Sequence, residues 1–527
     1  MSLRARDEHR AHSVAAGIAT LGLSGLWLTL ALDGTTIAVT LIVMALVAAC
    51  ILSCGVRWLS LPRMLRPVYR APSGKLRIAA VTTFVPSHEP LDMLERSLVA
   101  MLGMQEPHHT WVLDESNSDA VRALCDRLGV RHFSRAGEPR YNQLSGAFRS
   151  NTKHGNYNSW CERNGFNDYD VLAMFDPDHI PDVTYLHRTL GYLSDPRVAF
   201  VQPPQVYYNQ AASFVARGAA EESYSYYSTH LMASYALGHT IVIGSHGVHR
   251  LAALQDVGGF PAHDAEDLYL TMLYRAAGWR GVFVPEVLAM GLTPMNWSSY
   301  LQQQQRWARS LLDLKFRVLP ALAPRLSPRE RVANLVHGVW YLRALALPVL
   351  YAMLCGLLVT NTVPAFLRRD AVLALAALAV VPLTLGMVQH RYYLAPDRLD
   401  RFHWRGLVMQ FAKWPALIRA TAQAITGRSH TYALTSKRAG VAPSTVLAPA
   451  HVMVVVIIAT AWAVGIGRHG SLHPHLTIAA AMVTAISLAL AGSDLFSGVS
   501  TFTANLYETR RTAAHRSPRW MGGHEAA

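Results

Sequence analysis

Six long apolar runs constrain the fold of this chain more than any other feature of its sequence. Two of them precede a long polar segment and four follow it. Each is close to the roughly 20 residues needed to cross about 30 Å of hydrocarbon. Their bounds are 14–32, 36–56, 337–360, 371–389, 446–467 and 475–497. The pattern predicts a helical membrane protein with about six spans.

Arginines flanking the first two runs predict the orientation of these spans. They stand before the first run and after the second, at Arg4, Arg6, Arg10, Arg57, Arg63, Arg66 and Arg70. The positive-inside rule then places the polar segment 71–336 in the cytosol and the protein in the plasma membrane. The first run is long and closely followed by the second, so it is expected to be a retained span rather than a signal peptide.

The charge composition also predicts a membrane protein. The chain is 51% hydrophobic and 16% charged, with a formal net charge of +14. The basic residues cluster beside the apolar runs, which favours an anionic lipid leaflet as the partner and argues against nucleic acid. The five cysteines show no metal-ligand spacing.

The polar segment alternates short apolar runs with helical patterns, which predicts an α/β domain with a largely parallel sheet. Strands are expected over 77–85, 110–113 and 171–175, and carboxylates follow the last two, at Asp114, Asp176 and Asp178. Open α/β sheets bind ligands at this end of their strands. Asp176 and Asp178 can address one hard cation together with a substrate diphosphate, although a turn-forming pair of aspartates before Pro181 remains the alternative.

A second acidic pair, Glu266 and Asp267, begins a run with helical periodicity. A helix N-terminus stabilises carboxylates electrostatically, which is one interpretation. The other is a general base that accepts a proton from a hydroxyl nucleophile.

Further along, Gln303, Arg306 and Trp307 fall at i, i+3 and i+4 and therefore share one face of a helix. An amide can bind hydroxyls, a guanidinium can bind phosphate, and an indole can stack on a sugar. An interfacial Trp and Arg at a helix end is the alternative.

In order along the chain, these motifs resemble those of membrane-embedded, processive family 2 inverting glycosyltransferases. The similarity is to bacterial cellulose synthases and, more loosely, to hyaluronan and chitin synthases. It spans about 76–437. The matching segments are Asp114, Lys153-His154-Gly155-Asn156-Tyr157-Asn158, Asp176-Pro177-Asp178-His179, Gln202-Pro203-Pro204-Gln205, Glu266-Asp267, Gln303-x-x-Arg306-Trp307 and the gating-loop-like Tyr432-Ala433-Leu434-Thr435-Ser436-Lys437.

The resemblance implies a GT-A (Rossmann-like) cytosolic domain embedded in the transmembrane bundle, and it implies roles for single residues. Asp267 is expected as the catalytic base, and Glu266 and Trp307 as acceptor contacts. Mg²⁺ or Mn²⁺ is expected at Asp178 and Asp176. Residues expected to bind the nucleotide sugar are Thr82, Glu89, Asp114, Lys153, Asp176, Gln303 and Arg306. Residues expected to close over it are Tyr432, Thr435 and Lys437.

The implied function is polymerisation of a β-linked polysaccharide, with UDP-glucose as the expected donor, and secretion through the chain's own channel. The growing polysaccharide and the bilayer are the other expected partners, and a periplasmic or cell-wall accessory protein is left open. Three departures, Ala265 for Thr, Ser87-His88 for Tyr-Asn and Tyr432 for Phe, leave the sugar open. The alternatives are single transfer to a lipid acceptor and a hyaluronan- or chitin-like synthase using an N-acetylhexosamine.

The expected domain layout follows the apolar runs. Two transmembrane helices occupy 1–70, the catalytic domain with its interface helices 71–336, and two more spans 337–389. An interface helix and the gating loop follow over 390–445, then two spans over 446–497 and a cytosolic tail over 498–527.

Overall fold

The structure is a computed structural model that describes residues 3–32, 58–395, 403–427 and 447–512, together with scattered positions between 41 and 55. Its strands are β1 Ile78–Phe84, β2 His109–Asp114, β3 Arg131–Phe133, β4 Val171–Phe175, β5 Ile180–Pro181, β6 Val198–Gln202, β7 Val206–Tyr207, β8 His246–Arg250, β9 Arg280–Phe283 and β10 Ala289–Gly291.

Helices cover both the polar segment and the apolar runs. In the catalytic region they are Leu91–Leu102, Asp119–Leu128, Lys153–Trp160, Phe166–Asp168, Tyr185–Leu190, Phe214–Ser225, Leu231–Ala236, Leu251–Asp256, Glu266–Ala276, Trp297–Asp313, Leu319–Leu322 and Pro328–Val336. The others are Leu3–Ala31, Ala346–Thr360, Arg369–His390, Trp404–Ala412, Trp414–Thr426, Leu447–His469 and Pro474–Thr512.

Seven strands form one sheet in the order β3-β2-β1-β4-β8-β6-β9. Strands β1 to β4 are mutually parallel, β8 is antiparallel to both of its neighbours, and β6 pairs with β9 in parallel. Successive side chains of a strand point to opposite faces. Accordingly Val112 packs in a core on one face, with Phe84 and Phe175, whereas Leu113 packs on the other with Trp160. The predicted α/β GT-A fold is confirmed.

A second, three-stranded sheet in the order β5-β10-β7 forms beside the carboxyl end of β4. Strand β10 pairs with β5 through Met290 and Ile180, directly after the Asp176–His179 turn. The small sheet therefore fixes the chain that leaves the acidic motif.

Four helices are long and apolar enough to cross a membrane, namely Asp7–Ala31, Arg369–His390, Leu447–His469 and Pro474–Asp494. A fifth candidate is the pair Pro328–Leu342 and Ala346–Thr360, bent by 40° at its break. These segments correspond to five of the six predicted runs. Of the run 36–56 only scattered positions are described, so the count of six and the domain boundaries stay predictions.

Two consecutive helices, Trp404–Ala412 and Trp414–Thr426, join the catalytic domain to the apolar helices. The Nζ of Lys413, between them, contacts a carboxylate oxygen of Glu222, and Arg405 donates to Glu221 at 3.2 Å. Tyr432, Thr435 and Lys437 of the predicted gating loop lie outside the described residues.

Candidate active site

One cavity of about 1280 Å³ runs from the strand ends of the catalytic sheet to the bend between the apolar helices. Most of the predicted site residues line it: Glu89, Lys153, Asp176, Asp178, Glu266, Asp267, Gln303, Arg306 and Trp307. Trp340 and Tyr341, at the bend of the helix pair, line the same cavity. The fold thus brings together motifs that are far apart in the sequence.

The acidic motif after β4 forms a candidate metal centre. Asp176, Asp178 and His179 each offer a ligand atom, and these atoms lie within 4.8 Å of one another. Asp178 Oδ2 accepts a hydrogen bond from the backbone N of Leu292 at 3.0 Å, which fixes its carboxylate. The Nε2 of the buried His179 has no hydrogen-bond partner among the described residues. Two carboxylates and an unsatisfied imidazole nitrogen fit a divalent cation such as Mn²⁺.

Gly291 of β10 determines where His179 can lie. A Cβ built on Gly291 would come within 2.3 Å of Cε1 of the imidazole ring, so only glycine leaves room for it. The ring is also held by Asp178, whose Oδ1 is 3.2 Å from its Nδ1. Sequence analysis quoted His179 within the motif but gave it no ligand role; an unsatisfied buried nitrogen is visible only in the structure.

Lys153, at the start of its helix, supplies a fixed positive charge to this end of the cavity. Its Nζ contacts a carboxylate oxygen of Asp176 and the carbonyl of Gly244. Burial alone would lower the pKa of Lys153, but the negative charge of Asp176 together with Tyr157 and Glu266 outweighs it, so the pKa lies above its ordinary value. The amine therefore remains protonated and suits an anionic phosphate.

Glu266 and Asp267 begin the Glu266–Ala276 helix and face the same cavity. Asp267 accepts two backbone hydrogen bonds, from Gly244 N to Oδ2 at 3.0 Å and from Leu268 N to Oδ1 at 2.8 Å. Burial raises the pKa of Glu266 to about 7, with the negative charge of Asp267 as the next cause. Burial also raises the pKa of Asp267, whereas its two backbone donors lower it. These donors favour Asp267 as the ionised member of the pair.

The Trp297–Asp313 helix carries the third motif. Its start is fixed by Asn296, whose Oδ1 accepts a hydrogen bond from Ser299 N at 2.9 Å. From there Gln303, Arg306 and Trp307 point into the cavity. The predicted common face is therefore present, and it meets the acidic pair across the cavity.

Two predicted nucleotide-binding residues do not line the cavity. The side chain of Thr82 is buried in β1, and the adjacent Thr83 contributes to the wall instead, because alternate strand residues face opposite sides. Asp114 is fully buried and accepts hydrogen bonds from Ser116 N at 3.0 Å and Ser118 N. It organises the turn after β2.

Glu115 lines the cavity where Asp114 does not. Its carboxylate is fixed by the buried Arg135, whose Nη2 donates to Oε1 at 2.7 Å. Arg135 also donates to backbone carbonyls of Tyr141 and Arg149, which anchors the loop before Lys153. The sequence shows an acidic dipeptide at the end of β2. Only the structure shows that Glu115, and not Asp114, faces the cavity.

Comparison with known families supports this interpretation. Residues 171–388 match the family described as Glycosyl transferase family group 2. The matched stretch contains the candidate metal centre, the acidic pair and the Gln303–Trp307 segment. The sheet order, the strand-end carboxylates and this match indicate a glycosyltransferase with a GT-A fold that is similar to family 2 enzymes.

Named relatives indicate which kind of glycosyltransferase this chain resembles. The chain is 24% identical over 273 residues to the UDP-forming cellulose synthase catalytic subunit of Pseudomonas fluorescens, covering 50% of this chain and 35% of the relative. It is 25% identical over 275 residues to cellulose synthase 1 of Komagataeibacter xylinus, covering 50% and 17%. Glucomannan 4-beta-mannosyltransferase 7 of Arabidopsis thaliana is 24% identical over 394 residues, with 69% and 66% covered. These relatives support a glycosyltransferase that is similar to cellulose synthases and glucomannan synthases.

The chain spans about a third or less of the length of the two cellulose synthases named. Among solved structures, a mannosyltransferase from Pyrobaculum calidifontis in complex with GDP-Man and Mn²⁺ is 16% identical. It has a TM-score of 0.46, with 80% of this chain and all of that chain covered.

Proposed function

We propose that this chain is a processive inverting glycosyltransferase that polymerises a β-linked polysaccharide and moves the product through its own transmembrane helices. UDP-glucose is the proposed donor. One observation supports this proposal most strongly. A single cavity connects the candidate metal-binding carboxylates, the Glu266–Asp267 pair, Trp307 and the aromatic residues at the bend of the helix pair. A transferase that adds one sugar to a water-soluble acceptor has no need of a cavity that continues from the reaction centre into the apolar helices.

The charged residues of the cavity have different proposed roles. Asp176, Asp178 and His179 would hold Mg²⁺ or Mn²⁺, which when bound neutralises the diphosphate of the donor. Lys153 and Arg306 add fixed positive charges beside the same phosphates. Glu89 and Glu115 lie at the end of the cavity proposed for the nucleoside.

Asp267 accepts the proton of the acceptor hydroxyl as the oxygen attacks the anomeric carbon. The new carbon–oxygen bond forms as the bond to the diphosphate breaks, and the nucleoside diphosphate leaves with that electron pair. A single displacement inverts the configuration, so an α-linked donor gives a β-glycoside. Trp307 stacks on the terminal acceptor sugar and keeps the hydroxyl in attack geometry.

The proposal also assigns an orientation and partners. The catalytic domain lies in the cytosol, where nucleotide sugars are present, and the spans cross the plasma membrane. Tyr432, Thr435 and Lys437, which lie outside the described residues, are proposed as the gating loop of the donor site. A periplasmic or cell-wall accessory protein is a further proposed partner.

Product analysis tests this function. Purified protein in liposomes is incubated separately with UDP-glucose, a UDP-N-acetylhexosamine and GDP-mannose, and products are digested with linkage-specific hydrolases. We expect a long β-glucan from UDP-glucose, and none after reversible removal of metal with chelator. Polymer from another donor would replace the proposed sugar, and a one-sugar lipid adduct from every active donor would contradict processive synthesis.

Trp307→Ala tests processivity separately. The variant should lose long polymer while still hydrolysing donor slowly to free sugar, because the donor side of the cavity is untouched. Trp279→Ala is the matched control, since this indole donates to Asp256 on the surface of the same domain. Normal chain length in Trp307→Ala would contradict the stacking role.

A further inference from the structure

One part of the cavity wall, away from the residues proposed for the nucleotide, carries apolar side chains with large exposed fractions. Among them are Leu59 at 59% and Val332 at 60% exposure, together with Leu237 and Val336. An enclosed sugar tunnel would hide such side chains. Such large exposed fractions in cavity-lining apolar side chains are expected where a cavity opens sideways, and this part of the wall is called the window below.

The window lies at the level where the apolar helices meet the catalytic domain. On one side, Ser13 of the first candidate span donates to the carbonyl of Trp58 at 2.9 Å, and Leu65 N donates to Met232 O at 3.3 Å. Gln389, near the end of the Arg369–His390 span, lines the same cavity. These contacts place the window at the ends of two spans, which is the headgroup level of a bilayer.

The Pro328–Val336 helix forms the opposite side. Val332, Leu335 and Val336 are exposed and apolar, and the His337 ring that follows packs beside that of His230, with 6.4 Å between the ring centres. An exposed apolar helix face beside a membrane span lies in the interface region of the bilayer. Its apolar residues therefore face acyl chains rather than water.

Two arginines give the window its charge. Arg63 and Arg329 are exposed and both line the cavity. The adjacent Glu330 does not cancel them, because its carboxylate is bound to His239 Nδ1 at 2.6 Å and lies 4.0 Å from Arg275. Burial lowers the pKa of His230 to about 4, so this imidazole is neutral. The positive charge at the window thus comes from guanidinium groups, which bind phosphate well.

We propose that this window, lined by Leu59, Arg63, Leu237, Arg329, Val332 and Val336, binds an anionic phospholipid of the adjoining leaflet. Its phosphate lies at Arg63 and Arg329, and an acyl chain lies along the apolar residues. This site is separate from the proposed donor and acceptor positions and forms no covalent bond. It goes beyond the proposed synthase function and does not depend on it.

Photo-crosslinking tests the proposal without requiring turnover. Protein in nanodiscs of phosphatidylcholine receives a trace of diazirine-labelled phosphatidylglycerol, and labelled peptides are mapped by mass spectrometry. We expect labelling of 59–63 and 328–336 that unlabelled phosphatidylglycerol displaces. Equal displacement by added phosphatidylcholine, or by inorganic phosphate at the same concentration, would overturn the assignment to an anionic lipid.

Variants locate the site. Arg63→Gln and Arg329→Gln should each weaken displacement by unlabelled phosphatidylglycerol about fivefold, because a basic residue near a membrane surface contributes about that factor. Val332→Trp should block labelling of 59–63 by filling the window. Arg325→Gln, an exposed arginine of the same surface that does not line the cavity, is the control and should behave as the wild type.

Two results would contradict the proposal. Unchanged labelling in the Arg63/Arg329 double variant and in Val332→Trp would mean that no lipid site exists there. Protection of the same peptides by a soluble β-linked oligosaccharide, at concentrations that leave the lipid annulus labelled, would assign the window to the sugar chain. Neither result depends on whether the donor is UDP-glucose.

Discussion

At the scale of single residues, the neighbouring carboxylates of Glu266 and Asp267 differ in the groups that hold them. Asp267 accepts hydrogen bonds from two backbone amides, and these stabilise its charge within a buried wall. Burial and the charge of Asp267 favour the protonated form of Glu266 instead. Adjacent carboxyl groups with different ionisation tendencies suit a site that needs one base.

Asp267→Asn is predicted to lower sugar transfer by about 10²- to 10⁴-fold, because the amide keeps the shape of the side chain but cannot accept the proton. Nucleotide binding, measured by calorimetry with UDP, should remain within about twofold of the wild type. Asp256→Asn, on the surface of the same domain, is the control. If UDP binding falls together with transfer, Asp267 has a structural role instead.

Glu266→Gln is predicted to stabilise the protein above neutral pH. The folded state raises the pKa of Glu266 from 4.5 to about 7. Its contribution to stability is therefore fully present below pH 4.5 and lost as pH rises through 7. The variant has no charge to bury, so at pH 8 its melting temperature should exceed that of the wild type by about 3 °C.

Melting curves followed by tryptophan fluorescence in detergent and chelator, from pH 5 to pH 8, measure this difference. Glu95→Gln is the control, because its hydrogen bond with Arg127 lowers the pKa of Glu95 and the substitution should give no gain at pH 8. A Glu266→Gln difference that does not change with pH would refute the burial argument.

At the scale of elements, the three-residue strand β10 acts on the metal centre from a distant part of the chain. Leu292 N, just after β10, donates to Asp178, and Gly291 leaves the space that His179 fills. Strand β10 therefore orients two of the three candidate ligands. Loss of such supporting contacts typically lowers metal affinity or activity about 10- to 100-fold.

Gly291→Ala is predicted to weaken Mn²⁺ binding about tenfold or more, since the new methyl group would displace the imidazole of His179. Binding is measured by electron paramagnetic resonance of free Mn²⁺. Gly356→Ala is the control, because a Cβ there meets nothing within 4 Å. Unchanged Mn²⁺ affinity in Gly291→Ala would remove His179 from the candidate centre.

At the scale of the whole molecule, one cavity joins the catalytic sheet to the apolar helices. Its walls come from the strand ends, the Glu266–Ala276 and Trp297–Asp313 helices and the bent helix pair. Lys413 lies in the same wall and contacts Glu222, so the interface helices are fixed to the catalytic domain at the cavity itself. In the proposed function, synthesis and movement of the polymer share this one cavity.

Vesicles with the catalytic domain facing outward test the shared passage. Polymer made from donor added outside should accumulate in the lumen and resist an added β-glycan hydrolase until detergent opens the vesicles. Free sugar that forms outside the vesicles by hydrolysis of the donor is the control. Its appearance in the lumen would measure leakage. Polymer that is fully digested before detergent is added would show release on the catalytic side and would exclude transport through the chain.

Local sequence determined the α/β class, five described apolar helices or helix pairs, and the identity of the acidic motifs. Each of these depends on periodicity or on neighbouring residues. Tertiary structure alone decided that Thr83 and Glu115, rather than Thr82 and Asp114, face the cavity. It also brought Gly291 against His179 and placed Arg63 and Arg329 on the wall of one cavity. Side-chain direction at a strand end and the approach of distant segments depend on strand pairing and packing across the whole fold, which no local pattern encodes.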